Sequence, residues 1–222
     1  MQNVTFADMA IVSCGTMRPE LKYLQQDGFL DTPHLYFTRP GLHENYRELE
    51  RQLTGRISSA RKKTNKIIVV YGGKFCYVNG DEPARRMKTI IEEQGASVVR
   101  IDATHCVDML ADAAQRRRIA EEIAGGEKIW WMTPGWIQFR HYVFNGWDRG
   151  LANENFPRHT GGAVVLDGVG YVERYMSEHP EEFLEYSDWM GIPLMGYSLN
   201  LDRLRSLLAD QARNLSASAY TA

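Results

Sequence analysis

The sequence has little cysteine, no long apolar run and no excess of either charge, and each shortage excludes a class of protein. Three cysteines in 222 residues are too few for a disulfide framework, and none forms the Cys-x-x-Cys pair of a zinc ribbon. No stretch approaches the roughly eighteen consecutive apolar residues that a membrane span requires. The opening residues, MQNVTFADMAIVS, lack the basic segment and apolar run of a secretory leader. These features lead us to expect a soluble protein of a reducing, cytoplasmic compartment, with no membrane partner. The 26 basic residues nearly balance the 28 acidic ones, which gives no electrostatic footprint for nucleic acid. Two basic runs, RKKTNK (61–66) and QRRRIAEE (115–122), read as solvated helix ends, where cations complement the helix dipole.

What is present is an alternation of β-rich and helical runs. ADMAIVSCG (7–15), HLYFT (34–38), NKIIVVYGG (65–73), SVVRID (97–102), EKIWWMTPGW (127–136) and GIPLMGYS (191–198) read as strands. Between and after them, 19–28, 43–63, 81–95, 106–126 and 201–214 carry helical periodicity, several with glycine at the stop. Repeated βαβ units predict an α/β fold: a single Rossmann-like three-layer domain over 1–222, with a mostly parallel sheet of about five to six strands. Residues 137–190 break the rhythm and are rich in aromatics, so a helical insertion or lid is expected there. The polar end, 214–222, reads as a flexible tail.

The three cysteines occupy equivalent places in this scheme. Cys14 ends the first strand, Cys76 lies in the loop after IIVVY, and Cys106 follows SVVRI. Ligands of open α/β sheets bind at the carboxyl ends of the strands. Free cysteine also serves as a small core hydrophobe, but core cysteines scatter through element interiors rather than collect where strands give way to helices. Three convergent thiolates suit zinc or an iron–sulfur cluster and leave one coordination position open. His43, which enters a helix after Pro-Gly-Leu, is the expected fourth metal ligand, and His105 the alternative. A cysteine nucleophile with His105 or His141 as base is a further possibility, which no spacing singles out.

The run WWMTPGWIQFRHY (130–142) places a tight turn and a large aromatic at the same edge. Thr133, the Gly135 backbone and Trp136, with His105, are the expected substrate-binding residues, walling a pocket for a flat ligand. Trp130 and Trp131 read as core. The glycines of YGGKFCYVNG match neither the dinucleotide nor the P-loop fingerprint.

Cys-Gly-Thr-Met near the start, Leu-His at 42–43, Tyr-Gly with Cys76, the Asp and His-Cys of 102–106 and Met-Thr-Pro-Gly-Trp at 132–136 together resemble a bacterial and archaeal family of unknown function. Its members are often encoded beside corrinoid-dependent methyltransferases and their activating proteins. The resemblance spans about residues 8–210 and sets Cys14, Cys76, Cys106 and His43 on the family's cysteine and histidine positions. The family's usual Tyr-Gly-x-Cys is longer here, as YGGKFC. The resemblance implies a link to methyl-transfer metabolism without naming a reaction. The expected function is therefore a thiolate metal-binding protein of corrinoid-linked or one-carbon methyl transfer, holding zinc or an iron–sulfur cluster. A corrinoid would come through a partner, a corrinoid protein or a methyltransferase, and a small-molecule substrate is compatible. The alternative is a non-catalytic accessory or metal-delivery protein for such a partner.

Overall fold

Apolar residues that alternate faces along each strand decide the architecture of the computed structural model, which describes residues 4–218. The chain runs β1 (Met9–Ser13), α1 (Arg18–Gln26), β2 (Leu35–Phe37), α2 (Tyr46–Arg61), β3 (Lys66–Val70), α3 (Met87–Glu92) and β4 (Val98–Arg100). It continues through α4 (Cys106–Leu110), α5 (Ala113–Ala124), β5 (Trp130–Met132), α6 (Pro134–Gln138), α7 (Arg140–Val143) and α8 (Arg149–Asn155). The last elements are β6 (Ala163–Asp167), α9 (Tyr171–Glu178), α10 (Pro180–Met190), β7 (Leu194–Ser198) and α11 (Asp202–Ser218). Every strand pairing is parallel, as βαβ connections require.

The strands form two sheets rather than one, ordered β2-β1-β3-β4 and β5-β6-β7. Met9, Ile11, Ile68 and Val70 of the first sheet and Leu166 of the second share one core with Leu204 and Leu208 of α11. The opposite residues, Ala10, Val12, Ile67 and Val69, pack beneath Leu49, Leu53 and Ile57 of α2. Truncating any of the buried leucines, isoleucines or Met9 among these to alanine should cost about 2–5 kcal/mol. Helix α11 carries the chain back over β3, β4 and α4, which ties its C-terminal end to the first sheet.

Several expected boundaries move. Residues 137–190 are not helical throughout, because AVVLD forms β6, the central strand of the second sheet. Many of that region's aromatics are core: Phe144, Phe156 and Trp189 meet one another with centroids 5.4–5.5 Å apart and pack with Ala163 and Val165 of β6. The 106–126 helix breaks at Ala111, which is extended, and restarts where Asp112 and Gln115 form a capping box. Only Met87–Glu92 of 81–95 is helical. Asn79 Oδ1 accepts from the amides of Asp81 and Glu82, at 3.0 and 2.9 Å, and turns the chain there. Residues 214–218 belong to α11 rather than to a tail, with Leu215 buried, and 219–222 lie outside the described residues. Among the described residues no helix is long and apolar enough to cross a membrane.

Glu20 of α1 is completely buried, and neither carboxyl oxygen has a hydrogen-bond partner. Burial above all, helped to a smaller degree by the charge of Asp167, pushes its carboxyl from an ordinary 4.5 up to about 8. A folded-state value above the unfolded one gives stability that is complete below the unfolded value and is lost as pH rises through the folded one. Denaturant unfolding should therefore show stability falling between about pH 4.5 and 8, by an amount on the order of a few kcal/mol. Glu20→Gln should flatten that fall, and an unchanged slope in the variant would contradict the assignment.

Candidate functional site

At the carboxyl ends of β1, β3, β4 and β5 the connecting loops enclose a cavity of about 260 Å³. Its lining comes from every one of these connections: Cys14 and Thr16 after β1, Tyr71 and Cys76 after β3, His105 and Cys106 after β4, and Trp136 after β5. Leu42 and His43, in the turn before α2, close one side, and Phe75 another. No carboxylate lines it.

Two close backbone approaches shape this edge. A Cβ on Gly135 would lie 1.9 Å from the Thr16 carbonyl oxygen, so only glycine lets α6 pack on the turn after β1. A Cβ on Gly72 would lie 2.4 Å from the Thr104 carbonyl oxygen, and the loops after β3 and β4 meet there. Hydrogen bonds from Gly73 N to Ala103 O (2.8 Å) and Lys74 N to Thr104 O (3.1 Å) hold the same pair of loops together. Arg100 staples them from within, donating to the carbonyls of Tyr71, Ile101 and Ala103.

The thiols are free and partly accessible, and all three border the cavity. Burial pushes each of them up. Cys14 is raised despite a 3.1 Å hydrogen bond from Thr16 Oγ1. Cys76 is pushed up to about 12 by burial and then by Cys14, against the opposing pull of the Gly72 and Cys106 amides. Cys106 is raised by burial and by Cys76, although Trp136 Nε1 donates to its sulfur at 3.4 Å. At neutral pH all three are thiols rather than thiolates.

The imidazoles are neutral as well. His43 stacks on Trp136, with centroids 6.0 Å apart and planes at 21°, and burial lowers its pKa. His105 caps α4, its Nδ1 accepting from Asp108 N at 3.2 Å, which occupies one ring nitrogen. Burial, with Arg116 second, lowers its pKa too. The sequence-predicted residues thus divide. Cys14, Cys76, Cys106, His43, His105 and Trp136 meet at one cavity, whereas Thr133 and Gly135 stand behind its wall, buried against Thr16. These two position α6 instead of lining the pocket. Among the described residues no three His, Cys, Asp or Glu side chains are grouped as they would be around a metal ion. Trp131, read as core, lines the cavity.

Sequence reasoning missed Tyr71, whose hydroxyl hydrogen-bonds to Thr38 Oγ1, and Met17, Phe75 and Met109 on the lining. Tyr71 had a signal, since it is the one polar-tipped residue at the end of an otherwise aliphatic strand. The methionines had none, because they are indistinguishable from core.

A family model described as "Protein of unknown function (DUF1638)" matches residues 37–208. The match takes in Cys76, Cys106, His43 and Trp136 but begins after Cys14. No curated protein and no solved structure matches the chain.

Two outcomes follow from the geometry. Gly135→Ala should lower stability by several kcal/mol in a denaturant titration, since the added carbon meets backbone that cannot yield. Near neutral pH, alkylation of the three cysteines should be much slower in folded than in unfolded protein and should accelerate as pH rises. Mass spectrometry of partly alkylated protein checks this, and equal rates in the two states would refute it.

Proposed function

We propose that this chain, which belongs to the DUF1638 family, uses the cavity to hold a soft metal centre, zinc or an iron–sulfur cluster, through Cys14, Cys76 and Cys106. One observation carries the reading: every cysteine of the chain reaches the same cavity, each from a different strand end. The donor chemistry fits. Sulfur is soft, no carboxylate competes on the lining, and the His43 imidazole is held in the neutral form that ligates. The three sulfurs do not yet form a ligand group, so loading must draw them inward. Cys76 sits in the irregular connection between β3 and α3, where a side chain moves at least cost to regular structure.

A centre held by the three sulfurs alone would keep a fourth position, at which it would supply Lewis acidity to a thiol or water, whereas His43 in that position would close the site. The chain's own part is to exclude water from the cavity and to present the flat wall of Trp136. Corrinoid-linked or one-carbon methyl transfer is the setting we favour, with a corrinoid protein or methyltransferase as partner. A second reading, delivery of the metal to such a partner without catalysis, draws support from the loop after β3. Its Phe75, on the cavity lining, and Val78 are 55% and 62% exposed.

Anaerobically prepared protein tests the reading with zinc as the probe. About one ion should bind per chain, and each of Cys14→Ser, Cys76→Ser and Cys106→Ser should weaken it severely. Because burial keeps all three thiols protonated, binding should release close to three protons, up to one for each sulfur, and tighten steeply as pH rises. His43→Ala should loosen the ion without abolishing binding. Calorimetry in buffers of different ionisation enthalpy reads both quantities. Unchanged zinc affinity in the serine variants, with the fold intact by circular dichroism, would return the cysteines to a packing role.

A further inference from the structure

The segment from Thr38 to His43 has the thiol cavity on one side and a different site on the other. Thr38 and Pro40 line an open groove of about 690 Å³, and Leu42 and His43 line the cavity. Four guanidinium groups border the groove, those of Arg18, Arg39, Arg51 and Arg56, and no Asp or Glu lines it. Elsewhere several arginines meet carboxylates, among them Arg85 with Glu50 and Glu93, Arg140 with Glu182, and Arg203 with Asp108. At the groove only Arg51 does, through Glu48. Among the described residues Arg18, Arg39 and Arg56 make no salt bridge. In a chain of net charge −2 this is a concentration of positive charge, answered at the groove by Glu48, which pairs with Arg51 and also feels the charge of Arg39.

Aromatic rings order it. The Arg18 guanidinium lies 4.8 Å from the Phe37 ring centroid and 5.8 Å from that of Phe139, which fixes its plane while its N–H groups remain free to donate. Tyr142, at the groove rim, is 53% exposed and offers a ring face. Planar guanidinium forks suit phosphate oxygens in bidentate pairs. Four of them in a space several times larger than one phosphate suit a chain of phosphates.

We propose that this groove binds a small organic polyphosphate, with its phosphates on Arg18, Arg39 and Arg56 and an attached planar ring on Tyr142. The site is distinct from the thiol cavity and does not depend on a metal there.

Calorimetric titration with ADP, inorganic pyrophosphate and adenosine tests it on the full chain. ADP and pyrophosphate should bind saturably at one site, more weakly as salt rises, and adenosine should not bind. The Arg39→Gln/Arg56→Gln double variant should weaken both by roughly tenfold or more, with thermal stability unchanged because both side chains are exposed. Tyr142→Ala should weaken ADP and leave pyrophosphate as it was. The proposal falls if neither phosphate compound binds saturably, if the double variant binds them as the natural chain does, or if a short single-stranded RNA binds more tightly than ADP.

Discussion

The turn after β1 and the start of α6 lie so close together that no side chain fits between them, and the site depends on that contact. Gly135 makes it possible, and Thr133 Oγ1 reaches the Thr16 carbonyl beside it at 3.4 Å. Because β1 belongs to the first sheet and β5, which leads into α6, to the second, the contact brings two separately hydrogen-bonded sheets together at their carboxyl edges. It thereby sets Trp136 against Cys106 on one side and His43 on the other. The thiol cavity is a consequence of how the sheets are joined rather than of any one loop.

Burial without countercharge is the second organising constraint. Glu20, the three thiols and the two imidazoles of the cavity are all pushed by burial toward their neutral forms. Neutral thiols are poor nucleophiles and poor ligands until something offers compensating positive charge. Unaided cysteine nucleophilic catalysis with His105 as base is disfavoured besides, because His105 already spends Nδ1 on the cap of α4. The guanidinium groups across the Thr38–His43 segment are the opposite case, being charged and solvated. A cavity of buried, neutral thiols and a groove of solvated guanidinium groups are thus kept apart by a few residues of backbone.

Much of this was legible in the sequence, and the failures have physical causes. NKIIVVYGG announced β3 because a continuous apolar run bounded by glycines leaves few alternatives. The same rule should have found β6 in AVVLD, but the surrounding aromatics drew the reading toward a lid. Those aromatics are in large part the far layer of the second sheet's core. The break at Ala111 carried a signal in Asp112 and Gln115, whose spacing is that of a capping box. The shortening of 81–95 carried little signal; Arg85, in the part that is not helical, bridges Glu50 of α2 and Glu93, a tertiary pairing that no local pattern encodes. That the three cysteines border one cavity was readable from strand ends alone, although their sulfurs are not grouped as metal ligands would be. The retreat of Thr133 and Gly135 behind the wall was not, since it turns on which face of a tight turn meets Thr16.

The family match begins at residue 37, the last residue of β2, and so leaves out β1. Yet β1 lies between β2 and β3 and pairs with both, with Ile11, Val12 and Ser13 facing Leu35, Tyr36 and Phe37 on one side and Ile68, Val69 and Val70 on the other. Without it β2 has no partner, and the first sheet loses its centre. The same strand delivers Cys14 to the cavity and Thr16 to the Gly135 contact. Residues 9–17 are therefore needed to close both the sheet and the site. The matched segment by itself holds the cysteines of the β3 and β4 connections without the strand that completes the cavity around them.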